Sequence, residues 1–190
     1  FADRPRADAA ATIARLKALL EREPSNREIL RKLADLHDAS GNRDDGATYN
    51  KLLAISFLED EDLVAAEECL RKALGLNVQD PTTWQKLWYT VRRQGNREKM
   101  LTFGSQFLEH MKKLGLTEVA RDQLIEMVHL FPDNLPFRLD LAEVLFALGD
   151  NEEAVEGLSE AAGDLVKRSR LDDAERVFVQ ILRYDRDNPW

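Results

Sequence analysis

Three histidines, one cysteine and a run of four acids are the side chains with which this 190-residue chain could hold a metal or move a proton. His37, His110 and His129 have no partners at metal-ligand spacing, and Cys69 stands alone, so neither a metal set nor an internal disulfide is expected. Glu59-Asp60-Glu61-Asp62 has the charge of a cation loop but lacks its alternating ligands and central glycine; it reads as a solvated turn whose last acids favour the start of the next helix. No glycine-rich phosphate loop, nucleophile elbow or helical His-Glu-x-x-His is present in the sequence. The chain is therefore expected not to be an enzyme and to carry no cofactor and no metal.

Aromatic and basic side chains offer a different chemistry, that of recognition. The net charge of −8 is unevenly spread. Residues 9–62 hold eight Lys and Arg against eleven Asp and Glu, 63–116 hold nine against five, 117–170 five against twelve, and 171–190 three against five. The second segment is a basic island between acidic neighbours, with Lys86, Arg92, Arg93, Arg97, Lys99, Lys112 and Lys113 beside Trp84, Trp88 and Tyr89. Interface hot spots favour Trp, Tyr and Arg. Gln85, Lys86, Trp88, Tyr89, Arg92, Arg93, Lys112 and Lys113 are thus candidate partner-binding residues, suited to an acidic, partly apolar segment. Trp88 also has a plainer reading, as core filling space left by a small neighbour such as Gly104, and the island's cations could simply pair with acids of adjacent segments. A nucleic acid would reward a basic face along the whole chain, which only this segment offers.

The elements that position these residues follow from a 54-residue repeat. Segments 9–62, 63–116, 117–170 and the partial 171–190 keep Leu16, Leu70, Leu124 and Phe178 in one column, and Leu33, Leu87 and Leu141 in another. Gly41, Gly95 and Gly149 form a third. Each copy reads as three helices. The first carries a small, a large and an apolar residue at offsets of four and three, as in Ala66, Leu70 and Ala73 or Ala120, Leu124 and Met127, which share one helical face. Pro24-Ser25-Asn26 and Pro132-Asp133-Asn134 then reverse the chain, with Asn or Asp capping the second helix. That helix ends at the glycine column, where a left-handed residue closes it. Acids such as Asp44, Asp45, Glu98, Glu152 and Glu153 open the third helix, at the positive end of its dipole.

These columns resemble the tetratricopeptide repeat. Trp84, Leu87, Gly95 and Met100 match one such unit, Leu141, Ala142, Leu145, Gly149, Ala154 and Leu158 another, and Ala120, Leu124, Met127 and Pro132 the second half of one. The family repeats every 34 residues or so, so the longer period reads as one extra helix per unit. The resemblance implies a groove that holds peptides or partner helices, lined at Arg31, Asp35 and Asp38 in the first copy and at Gln85, Tyr89 and Arg92 in the second. Arg31, Lys32 and Asp35 stand where the family's two-carboxylate clamp needs Lys and Asn, so a chaperone-tail receptor is not expected.

The expected fold is an all-α helical-repeat solenoid, a tetratricopeptide-like superhelix of about ten antiparallel helices forming one domain over residues 1–190. The expected function is a protein-interaction scaffold that binds a partner protein or peptide. The alternatives are a regulatory or sensory module of a larger multidomain protein, and a structural spacer in an envelope or motility assembly. The chain starts without Met and stops as a fourth copy begins its second helix at Asn188 and Pro189, which reads as a piece of a longer protein whose cut ends could pair two copies into a dimer. No apolar run approaches the roughly 20 residues of a membrane span, so no membrane insertion is expected. The cytoplasm is the default compartment.

Overall fold

The structure, a computed structural model, describes the backbone of residues 4–184 and the side chains of residues 8–184. The helix start expected at Asn188 and Pro189 lies outside these residues. Ten helices and no strand are found among the described residues: α1 (Arg4–Leu20), α2 (Arg27–Ala39), α3 (Arg43–Glu59), α4 (Leu63–Leu76), α5 (Pro81–Arg93), α6 (Arg97–Lys113), α7 (Thr117–Leu130), α8 (Leu135–Leu148), α9 (Asn151–Lys167) and α10 (Leu171–Tyr184). After α1 they come in threes. The helices α2, α5 and α8 open at Arg27, Pro81 and Leu135, and α3, α6 and α9 at Arg43, Arg97 and Asn151, each 54 residues after the last.

Local chemistry places the breaks. The Asn26 side chain accepts the backbone N–H of Glu28 and of Ile29, and that of Asn134 accepts Phe137 N–H, so the capping residue satisfies two of the donors left open at the start of α2 and one at the start of α8. Pro81 opens α5, where its missing N–H costs nothing. The second helices end at Gly41, Gly95 and Gly149, with φ of +74°, +69° and +90° that only glycine adopts without strain. The turn after each third helix uses the same conformation with less regard for side chain: Glu61, Gly115 and Ser169 share one column and have φ of 61°, 70° and 59°.

The helices gather into two compact units, the first ending at Phe107 and the second beginning at Leu108. In the first, α1 lies on α2, α2 on α3, α3 on α4 and α4 on α5. Its core takes Leu30 and Leu33 from α2, Leu53, Ala54 and Phe57 from α3, Ala66, Leu70 and Ala73 from α4, and Leu87 and Val91 from α5. In the second, α7 packs on α8, α8 on α9 and α9 on α10, around Leu135, Leu145, Leu158, Ala162, Val177 and Ile181. The small, large and apolar stripe of α4 and α7 is buried throughout, and burying each large apolar side chain contributes about 1.5–3 kcal/mol.

Candidate functional site

The basic island divides between the units: Gln85, Lys86, Trp88, Tyr89, Arg92 and Arg93 lie on α5 in the first, Lys112 and Lys113 at the end of α6 in the second. α5 is held at its start by Asp80. One carboxylate oxygen accepts Thr82 N–H at 3.0 Å and the Thr82 hydroxyl at 2.7 Å; the other accepts the Thr83 hydroxyl and the Lys51 ammonium of α3, both at 2.7 Å. Burial alone would raise this carboxyl's pKa, but the hydrogen bonds from Lys51, Thr83 and Thr82 outweigh it and hold the group well below the ordinary carboxylate range. Farther along, Trp84 stacks on Phe103 of α6 with centroids 5.4 Å apart and donates its indole N–H to Val78 O at 2.8 Å.

Trp88 is 5% exposed, so it belongs to the core and presents no ring to a partner. A large apolar ring in a column otherwise held by Ala34 and Ala142 is packed inward. Tyr89, by contrast, is 50% exposed, and it lines up at helical spacing with the exposed Gln85 and Arg92. Lys86 is half-buried. The Arg93 guanidinium sits 5.7 Å from the Tyr89 ring centre and 2.8 Å from Glu61.

Most of the island's cations meet acids. Lys99 lies 3.0 Å from Glu67, a carboxylate only 8% exposed that also takes Arg71 and the Gln94 amide, each within 2.8 Å. Burial pushes the Glu67 carboxyl up, and the hydrogen bonds from Gln94, Lys99 and Arg71 more than reverse it, leaving it lowered. In the second unit Lys112 lies 2.9 Å from Asp140 and Lys113 2.7 Å from Glu109.

Two of the groups with catalytic potential, His37 and Cys69, are placed in packing, while His129 is exposed. His37 is buried, stacked on Tyr49 at 5.3 Å, with Nδ1 3.4 Å from Asp45. Cys69 is buried, and that burial pushes its thiol pKa up, away from the reactive thiolate. Among the described residues no three metal-ligating side chains cluster, and no helix is long and apolar enough to cross a membrane.

A cleft that the reading of the sequence missed opens in the second unit, between α7, α8 and α9. Its volume is about 290 Å³; Leu141, Ala142, Leu145 and Leu158 are among its apolar lining, and Arg138, Glu153, Glu156 and Glu160 supply its charges. The trace it leaves in sequence is Gly157, which stands in the column of Tyr49 and Phe103.

Residues 114–170, the segment that supplies this cleft, match the family model described as tetratricopeptide repeat, and the chain is a helical-repeat protein similar to that family over this segment. Among curated proteins none matches. Among solved structures the chain is similar to the apo form of RapI, at 16% identity with a TM-score of 0.48, over 94% of this chain and 67% of that one. It is likewise similar to BtubC from P. vanneervenii, at 14% identity and a TM-score of 0.44, over 94% and 88% of the two chains. For PilF of Pseudomonas aeruginosa the values are 16% and 0.36, over 97% and 96%.

Proposed function

We propose that this chain is one array of helical repeats over residues 1–190 that holds an acidic, partly apolar segment of a partner protein against the outward stripe of α5. Tetratricopeptide-like arrays are in general protein-interaction scaffolds; the partner's chemistry is read from the stripe. The observation that carries the reading is Tyr89, a half-exposed phenol ring beside Gln85 and Arg92 with the Arg93 guanidinium 5.7 Å from its centre. A rigid ring among guanidinium groups is the usual composition of an interface hot spot, where one side chain contributes 2 kcal/mol or more.

The acids that now meet these cations do not preclude a partner. Arg93 and Glu61 form an exposed pair, and such pairs are worth about 0–1 kcal/mol, so an incoming carboxylate displaces Glu61 at little cost. Lys113 of the second unit, in a pair of the same exposed kind, and Lys112, in a part-buried one, offer the same chemistry.

The test compares the protein with a Tyr89→Ala, Arg92→Glu, Arg93→Glu variant in affinity capture from lysate at moderate salt, read by quantitative mass spectrometry after circular dichroism has matched the two folds. Proteins bearing acidic segments should be captured by the wild type and lost from the variant. Equal lists from both would remove α5 as the binding surface.

A further inference from the structure

The third copy is short of side chain where the first two are full. The helices α3, α6 and α9 are each 17 residues long, and the seventh residue of each is Tyr49, Phe103 and Gly157 in turn. In the first two copies this residue is a ring stacked on a ring of the preceding helix, Tyr49 on His37 at 5.3 Å and Phe103 on Trp84 at 5.4 Å. In α9 a β-carbon placed on Gly157 would meet no atom within 4 Å. The same copy has Ala161 in the column of Leu53 and Phe107. The cleft of about 290 Å³ lies at this missing volume.

Leaving it open works against the fold, since a glycine inside a helix costs about 1 kcal/mol relative to alanine and an unfilled apolar site costs more. A cavity of about 150 Å³ already accepts benzene, so the space suffices for one aromatic side chain. The charges around it have one dominant sign. Glu153, Glu156 and Glu160 line the cleft against Arg138, whose Nε–H is already donated to Pro132 O at 2.9 Å. Among the described residues these three glutamates enter no ion pair, while Asp140, on the neighbouring helix, holds Lys112.

We propose that this cleft is a socket for an aromatic side chain of a cationic partner segment. The ring enters from outside the place that Phe103 fills from within in the second copy, against Leu141, Leu145 and Leu158, and the Lys or Arg residues flanking it pair with Glu153, Glu156 and Glu160. This goes beyond the acidic-segment reading of α5: it concerns other helices, the opposite charge and a pocket where α5 has a stripe. Together the two make the chain a scaffold for two partners of opposite charge.

The experiment is selection of a random 12-residue peptide library on the immobilised full chain, followed by fluorescence polarisation with the enriched peptides. Enriched sequences should include a set that pairs one Trp, Phe or Tyr with nearby Lys or Arg. Gly157→Phe supplies the repeat's own ring, and it should raise the unfolding midpoint while weakening those peptides at least tenfold. Glu153→Gln, Glu156→Gln, Glu160→Gln alters only exposed residues, so it tests the charges even if the ring variant misfolds; it should weaken the same peptides at least tenfold and flatten their salt dependence. Replacing the peptide's aromatic residue by alanine should abolish binding. The inference is overturned if no such set is enriched, or if its members bind Gly157→Phe and the triple variant as they bind the wild type. If the enriched peptides are all acidic and sensitive to Arg92→Glu alone, the α5 surface is supported and this inference is overturned.

Discussion

Removing the carboxylate of Asp80 should destabilise the first unit in a way that depends on pH. Asp80→Ala takes away the N-cap of α5, an effect of about 0.5–2 kcal/mol. It also strands the hydroxyl of Thr83, a residue 2% exposed, where an unsatisfied buried donor costs about 1–3 kcal/mol. The sum is roughly 2–4 kcal/mol once overlap between the two is allowed for. Asp80→Asn keeps the cap, since Asn26 and Asn134 do the same work in the other copies, but loses the charge facing Lys51 at 2.7 Å; its deficit should be about 1 kcal/mol. The folded carboxyl titrates below its unfolded value of 3.8, so its contribution is complete above that value and is lost as pH falls through the lower, folded pKa. Urea titrations followed by far-ultraviolet circular dichroism from pH 7 to pH 3 should therefore show both deficits constant down to about pH 4.5 and shrinking below it. A deficit for Asp80→Ala under about 0.5 kcal/mol at pH 7 would refute the reasoning, because neither the cap nor the buried hydroxyl could then depend on this side chain. So would a deficit that stays level to pH 3.

Leu87→Ala, in a core column of the first unit, should cost roughly 2–5 kcal/mol by thermal or urea unfolding, and an unchanged midpoint would mean that its column is not packed as described. Glu67→Gln should lower stability at pH 7 by about 1–2 kcal/mol, because Lys99 and Arg71 would face an uncharged amide; since the folded carboxyl titrates below 4.5, the difference should narrow as pH drops beneath that value in the same titration. Ser169→Gly should stabilise the second unit by up to about 1 kcal/mol, as the residue sits at φ 59° in the column where the second copy already has Gly115, and a lower midpoint would count against strain there.

The helices were legible because their signals are local. Asn26, Asn134 and Pro81 act within three residues of where they stand, and Gly95 or Gly149 ends a helix by its own backbone, so spacing alone located ten elements and their turns. The pairing of charges was not legible to the same degree. Arg93 meets Glu61, Lys99 meets Glu67 and Lys112 meets Asp140 across 28 to 32 residues of sequence, and a column alignment does not say which side chains of stacked helices face each other. A tally of basic residues overstates what a partner would find, since exposed Lys and Arg settle on whatever acid the packing brings near.

Trp88 and Gly157 break their columns in opposite directions, and the physics makes the two breaks unequal. A ring too large for its column can still be accommodated, because burying it is favourable and the neighbouring helices can shift by tenths of an ångström; Trp88 accordingly ended in the core. A ring too small cannot be repaired the same way. The backbones of α8 and α9 are fixed by Leu135, Ala162 and Leu165, packed elsewhere along the same helices, so lost volume stays open as a cleft and does not collapse. In a stack of similar units the column that has lost bulk is therefore the better guide to a site than the column that has gained it. Charge then selects the ligand: the cleft at Gly157 lies in the segment that holds twelve acids against five bases, and the exposed ring of Tyr89 in the one segment where bases exceed acids.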